Sequence, residues 1–166
     1  MRTMKTIYLA GGCFWGTQKY FDQFEGVTDT EVGYANGPES APTYEDVCSN
    51  SGHAETVRVD FDEKKIGLAQ LLRLYFKVID PLSVNRQGHD RGIQYRTGIY
   101  YTDPEMLDTI REVCGEVEAE VGAPLAVEVE PLVYFYPAEE YHQKYLDKNP
   151  GGYCHIPAAF FNLGKK

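Results

Sequence analysis

The chain has 166 residues, with 16 Lys and Arg against 25 Asp and Glu, a formal net charge of −9, and 43% hydrophobic residues. That length suits one domain whose core needs no disulfide staples. No cluster of Lys or Arg stands out, which excludes nucleic acid and anionic membranes as partners, and no apolar run approaches the roughly 18 residues of a membrane span. Arg2 and Lys5 precede an apolar run of only about five residues, short of the about 7–15 in a secretory leader. A cytosolic protein is expected.

The run at 5–10 reads as a buried strand and leads into Gly11-Gly12-Cys13-Phe14-Trp15-Gly16. Residues 13–24 then carry helical spacing, with Phe14, Tyr20, Phe21 and Phe24 on one stripe and Gly26 as terminator. Cys13 therefore falls where a strand turns into a helix. Glycine allows the tight turn. Unpaired N–H groups and the helix dipole at such a position favour the thiolate, the nucleophilic form of cysteine. Phe14 and Trp15 add apolar rings beside the sulfur. A buried, inert cysteine among core aromatics fits the same hexapeptide.

Residues 27–34 read as a strand, and 36–51, rich in Asn, Gly, Pro and Ser, as a long loop. Val57, Val59 and Phe61 alternate with polar residues as in a half-buried strand. A helix is expected over 66–79, with Ile66, Leu68, Leu71, Leu72, Tyr75 and Ile79 mostly inward, stopped by Asp80-Pro81. A second polar loop spans 84–92, and a strand is expected over 94–101. Asp103 and Pro104 have the chemistry of a helix start, and that helix should run to Val121 and end at Gly122. A strand over 127–136 contains Pro131, which argues for an edge or a bulge. A helix over 138–148 and an irregular tail from about 149 close the chain. Strands and helices alternate without a strict βαβα series. The expected fold is α/β (α+β): a two-layer, ferredoxin-like plait of helices on a mixed sheet, in a single domain over 1–166.

The four cysteines are Cys13, Cys48, Cys114 and Cys154. None are spaced as C-x-x-C and no His stands at ligand spacing, so neither a metal site nor a disulfide framework is expected. Long loops in compact domains are usually functional. Here they supply Tyr44, His53, Glu55 and Asp90, with Tyr95 on the following strand and Cys154 in the tail. Taken singly, Glu55 fits a surface carboxylate, Tyr44 and Tyr95 half-buried phenols, and Asp90 a turn residue. His142 fits either a substrate contact or a surface helix position.

Taken together, the blocks resemble one family. Gly11–Gly16, Gly33-Tyr34, Pro42–Cys48, Gly52–Glu55, Asn85–Gly88, Asp90–Gly92, Gln94–Arg96, His142–Leu146 and Asn149-Pro150 match, in order, the signature of peptide methionine sulfoxide reductase A. The resemblance implies a two-layer α/β sandwich with a mixed sheet, and reduction of the S epimer of methionine sulfoxide, free or in peptides and proteins. It implies Cys13 as nucleophile, Glu55 as the acid that protonates the sulfoxide oxygen, and Tyr44 and Tyr95 as hydrogen-bonding phenols. Phe14 and Trp15 would hold the S-methyl group and Asp90 would orient substrate or an ordered water. Gly152-Tyr153-Cys154 matches the tail motif of the resolving cysteine. The Cys13–Cys154 disulfide would then be reduced by thioredoxin or a similar dithiol protein. No cofactor is implied, and nothing demands more than a monomer. His89 and Ile93 stand where the family commonly has Asn and Thr, and His155-Ile156-Pro157 departs from the glycine-rich tail often found there.

Three other readings compete. A thiol peroxidase would use the same cysteines but needs no methyl pocket. A cysteine hydrolase would need His53 or His142 within hydrogen-bond reach of the sulfur. A non-catalytic Tyr-rich binding module leaves a thiol at a strand–helix junction unexplained. Cys48 is expected to be structural and Cys114 inert, since acidic neighbours raise a thiol's pKa.

Overall fold

The computed structural model describes residues 4–36, 44, 52–87, 90–149, 152, 156 and 160–161. Strand β1 (Met4–Gly11) leads into helix α1 (Phe14–Asp22), and β2 (Val27–Ala35) and β3 (Ala54–Asp62) follow. Helix α2 (Leu68–Phe76) precedes a small hairpin of β4 (Arg86–Gln87) and β5 (Asp90–Arg91). Then come β6 (Thr97–Tyr101), α3 (Leu107–Val121), β7 (Glu128–Pro131), β8 (Phe135–Pro137) and a last short helix, α4 (Tyr145–Lys148).

The sheet order is β7-β6-β1-β3-β2-β8. β6 and β7 run parallel and every other neighbouring pair is antiparallel, so the sheet is mixed. Period-2 alternation sends Ile7, Leu9, Val57, Val59, Phe61 and Ile99 to one face. There they pack with Phe14, Tyr20 and Phe21 of α1, Leu71, Leu72 and Tyr75 of α2, and Ile110, Val113 and Val117 of α3 in one core. The stripes expected on α1 and α2 are buried, apart from half-buried Leu68. The opposite face carries a smaller cluster of Ala10, Ala35, Ala54 and Tyr100, packed against Tyr8, Leu132 and Phe135. No helix among the described residues is long and apolar enough to cross a membrane.

Three expected elements come out differently. The strand expected over 94–101 starts with a 3₁₀ turn, Ile93–Tyr95, closed by Tyr95 N–H donating to Gly92 O at 3.0 Å. The strand expected over 127–136 breaks in two. Pro131 ends β7, an edge strand, as proline chemistry requires. The Asn36 side chain then accepts from Val133 and Tyr134 N–H at 2.7 and 3.3 Å, and the chain crosses to the other edge to form β8. The helix expected over 138–148 is a 3₁₀ turn, Glu140–His142, and four residues of α4. Extended Gln143 and left-handed Lys144 (φ 55) separate them.

The start of α3 is as expected, with a 3₁₀ turn at Pro104–Met106 and Asp103 Oδ1 accepting from Glu105 N–H at 3.0 Å; its end is at Gly122. The loop expected over 36–51 lies outside the described residues apart from Asn36 and Tyr44. So does most of the tail, although Ile156 is buried in the core and Phe160 O accepts from Gln23 Nε2 at 2.6 Å.

Tyr75 is wholly buried; its hydroxyl donates to Ala10 O at 2.6 Å and accepts from Gly98 N–H at 3.2 Å. It holds β1 and β6 together just before β1 leaves the sheet. Tyr75→Phe strips these buried backbone groups of a partner and is expected to destabilise the fold by about 1–3 kcal/mol in urea unfolding.

Candidate active site

β1 leaves the sheet through Gly12, whose φ of 87 lies in the left-handed region that disfavours other residues. Cys13 follows as the N-cap of α1, with φ −58 and ψ 123, and is 7% exposed. The strand-to-helix placement of this thiol is as expected. The Thr17 hydroxyl braces the turn, 3.2 Å from Cys13 O and 3.4 Å from Gly11 O.

Glu55 is the second residue of β3, opposite Tyr34 of β2. Alternation puts its side chain on the helix-covered face, with Val57 and Val59, and it is 1% exposed. Oε1 accepts from Phe14 N–H at 3.2 Å. Oε2 is buried and has no hydrogen-bond partner among the described residues. Burial pushes the carboxyl up to about 8, opposed by the Phe14 N–H and reinforced by the charge of Asp90. At neutral pH Glu55 carries its proton, so Oε1 is the accepting oxygen and Oε2 holds an O–H. A surface carboxylate it is not.

Asp90 sits half-buried on β5, close enough for its charge to bear on Glu55. Tyr95, also half-buried, ends the 3₁₀ turn that packs against β3. Phe14 is buried, its ring centroid 5.7 Å from Tyr34 and 5.3 Å from His142. Trp15 lies flat on Tyr145, centroids 3.8 Å apart and planes 14° apart. Its Nε1–H donates to His142 Nδ1 at 2.9 Å. The Tyr44 ring is 4.4 Å from His142. Cys13, Phe14, Trp15, Glu55, Asp90 and Tyr44 thus belong to one linked region, with Tyr95 on a neighbouring turn. Cys48 and Cys154 lie outside the described residues.

Three members, Tyr34, Glu139 and Tyr145, are not singled out by the sequence, and a fourth, His142, fits there either a substrate contact or a surface helix position. His142 is buried beneath the aromatic rings rather than on a helix surface. Tyr145 supports Trp15 from below. The Tyr34 hydroxyl donates to Glu139 Oε1 at 2.8 Å, and Tyr44 N–H donates to Glu139 Oε2 at 3.1 Å. Glu139 thereby ties the Tyr44 backbone to β2. The i, i+3 spacing of His142 and Tyr145 was the available signal; nothing marked Glu139. His53, one of the two histidines a cysteine hydrolase would need, is buried edge-on to Tyr136 at 6.0 Å. Cys114 is half-buried, its thiol pushed up to about 11 by burial and by the charge of Glu118, so it is a poor nucleophile. Among the described residues no three His, Cys, Asp or Glu side chains gather to hold a metal ion.

The family model described as peptide methionine sulfoxide reductase matches residues 5–163. Peptide methionine sulfoxide reductase MsrA of Lachnoclostridium phytofermentans is 58% identical over 162 residues, covering 97% of this chain and 98% of its own. The protein of the same name from Clostridium acetobutylicum is 57% identical over 155 residues, 93% of this chain and 96% of its own. The structure of Mxr1 from Saccharomyces cerevisiae in reduced form has a TM-score of 0.88 at 37% identity, covering 99% of this chain and 93% of that one. Mxr1 in complex with Trx2 has a TM-score of 0.62 at 28% identity, covering 86% and 85%.

The raised Glu55 carboxyl makes a stability prediction. Folding holds the proton at pH values where the unfolded chain, with an ordinary carboxyl near 4.5, has released it. Stability therefore falls as pH rises from about 4.5 to about 8, and the penalty is complete above that. Glu55→Gln removes a titration on the order of a few kcal/mol. Relative to the parent, the variant should gain stability between pH 5 and pH 9 in urea unfolding. A gap independent of pH would show that Glu55 does not titrate this way.

Proposed function

The chain belongs to the peptide methionine sulfoxide reductase family and is a peptide-methionine (S)-S-oxide reductase, and we propose that Cys13 is its nucleophile and Glu55 its proton donor. The observation that carries this reading is the buried Glu55 carboxyl, hydrogen-bonded to the N–H of the residue that follows Cys13. A sulfoxide oxygen leaves sulfur only when it gains protons. A carboxylic acid can supply one near pH 7 only if burial holds it protonated.

Cys13 Sγ attacks the sulfoxide sulfur while Glu55 Oε2 gives its proton to the oxygen. The hydroxyl then passes to Cys13 as the S–O bond and the Sγ–S bond formed in the attack both break and an Sγ–O bond forms, leaving Cys13 as a sulfenic acid and releasing the thioether of methionine. Substrate sulfur gains two electrons and Cys13 loses two. Tyr44 and Tyr95 hydrogen-bond the oxygen without adding charge, and Asp90 orients the substrate or an ordered water. Phe14 and Trp15 enclose the S-methyl group, which is worth about 1–3 kcal/mol of selectivity. Stereoselection comes from the fixed directions of the methyl pocket and the proton donor.

The thiol of Cys154 then condenses with the sulfenic acid to give a disulfide and water. A dithiol protein such as thioredoxin takes up the oxidation and restores both thiols. The Mxr1 structure in complex with Trx2 supports that partner. The reading takes residues 1–166 as one repair-enzyme domain, active as a monomer in the cytosol on free and protein-bound substrate. It also takes β1-α1-β2-β3-α2-β6 as a ferredoxin-like plait, on the strength of the antiparallel order β6-β1-β3-β2.

The test gives reduced protein each epimer of a blocked methionine sulfoxide with dithiothreitol. The S epimer should turn over and the R epimer should not. Cys13→Ser should be inactive, and Glu55→Gln should slow the reduction step about 10²–10⁴-fold. Without added thiol, Cys154→Ser should release about one methionine per enzyme, and it should not recycle with thioredoxin. Turnover of hydrogen peroxide alone would point instead to a peroxidase, and recycling of Cys154→Ser would assign resolution to another cysteine.

A further inference from the structure

Trp15 is the sole tryptophan in the chain, and a segment more than a hundred residues away grips it on two sides. Tyr145 stacks on the indole face and His142 Nδ1 accepts the indole N–H at 2.9 Å. A ring nitrogen can accept only in the neutral imidazole, so the proton of His142 is on Nε2. That Nε2 is buried and has no hydrogen-bond partner among the described residues. A buried donor left unsatisfied costs about 1–3 kcal/mol. Histidine at this position is therefore a poor choice for stability alone.

The residues between the two gripping side chains are anchors. Gln143 pairs with the Val32 backbone, accepting from N–H at 3.0 Å and donating to O at 2.9 Å. Lys144 N–H donates to Gln18 Oε1 at 2.8 Å, and its ammonium reaches Asp22 at 2.7 Å and Thr30 Oγ1 at 3.0 Å. Lys144 adopts a left-handed conformation uncommon for a residue with a Cβ, and the anchors hold it there. His142 and Tyr145 are thus fixed against α1 and β2 from the far side of the chain.

We propose that His142 is a positioning residue for Trp15: its neutral Nδ1 sets the rotation of the indole on Tyr145, and protonation of the imidazole releases it. Burial pulls His142 below the ordinary histidine range, opposed by the charge of Glu139, so the accepting form prevails at neutral pH. Among the described residues, the groups facing the ring are Phe14 and Trp15 of α1, Tyr44, and Tyr141 and Glu139 of its own segment, with Tyr34 of β2 beyond Phe14. Glu139 is the one anion among them. The grip is lost as pH falls through the histidine transition and is complete above it.

The effect on substrate rests on Trp15 being part of the methyl pocket; the effect on the indole does not. Intrinsic emission of the sole tryptophan, followed from pH 8 to pH 4.5, reads the grip directly. The parent should show a one-proton change below pH 6.5, and that change should vanish in both His142→Gln and His142→Phe. The Gln amide oxygen can still accept the indole N–H. His142→Gln should therefore keep a near-parental KM for a sulfoxide peptide at all pH values, while His142→Phe raises KM several-fold with a smaller change in kcat. Circular dichroism checks folding, and should the Phe variant not fold, the loss of the pH transition in His142→Gln decides alone. A transition that persists in the variants overturns the proposal. A transition that vanishes while KM stays unmoved upholds the grip and removes Trp15 from the substrate pocket.

Discussion

One hydrogen bond, Phe14 N–H to Glu55 Oε1 at 3.2 Å, ties the start of α1 to β3. The sheet register makes it possible. Leu9 pairs with Val57, so Glu55 comes level with the end of β1, where the chain turns out of the sheet at Gly12. Were β3 shifted by one residue, Glu55 would face the opposite side of the sheet and the acid would be lost from the cysteine. The register is held by Ile7, Leu9, Val57, Val59 and Phe61, all buried in the main core. Ordinary hydrophobic alternation thus fixes the separation of thiol and acid.

The bond also decides which carboxyl oxygen does what. Protonated Glu55 has one carbonyl oxygen and one hydroxyl. The helix N–H takes the carbonyl oxygen, leaving the hydroxyl at Oε2, buried and with no partner among the described residues. An unsatisfied buried donor is costly in a resting fold. It is useful where an oxygen acceptor arrives with the substrate. His142 Nε2 is left in a similar condition on the other side of Phe14.

The sequence made the sheet and the acid side of the site readable because local rules agree there. Alternation marks β3, the Gly-Gly-Cys turn marks the strand-to-helix junction, and the ordered blocks single out Glu55, Tyr44, Asp90 and Tyr95. The single helix expected over 138–148 does not form. Tertiary bonds prevail instead: the Gln143 amide takes the Val32 backbone groups and forces extended geometry, and Lys144 turns left-handed to reach Asp22 and Thr30. Partners more than a hundred residues away leave no periodic trace. The same holds for Glu139, whose bonds to Tyr34 and Tyr44 look in sequence like those of any surface carboxylate.

Burial acts on the two titratable side chains flanking Phe14 in opposite directions, because in each it disfavours the charged form. It raises Glu55 to about 8 and lowers His142 below its ordinary range. The acid keeps its proton and the base stays without one across neutral pH. Apolar surroundings therefore supply both conditions, a protonated carboxyl on one side of Phe14 and an acceptor for the Trp15 indole on the other. Lining the pocket with polar groups would shift both residues toward their charged forms together. Phe14 stands between the two, its N–H donating to Glu55 and its ring 5.3 Å from His142, so one residue of α1 touches both protonation states.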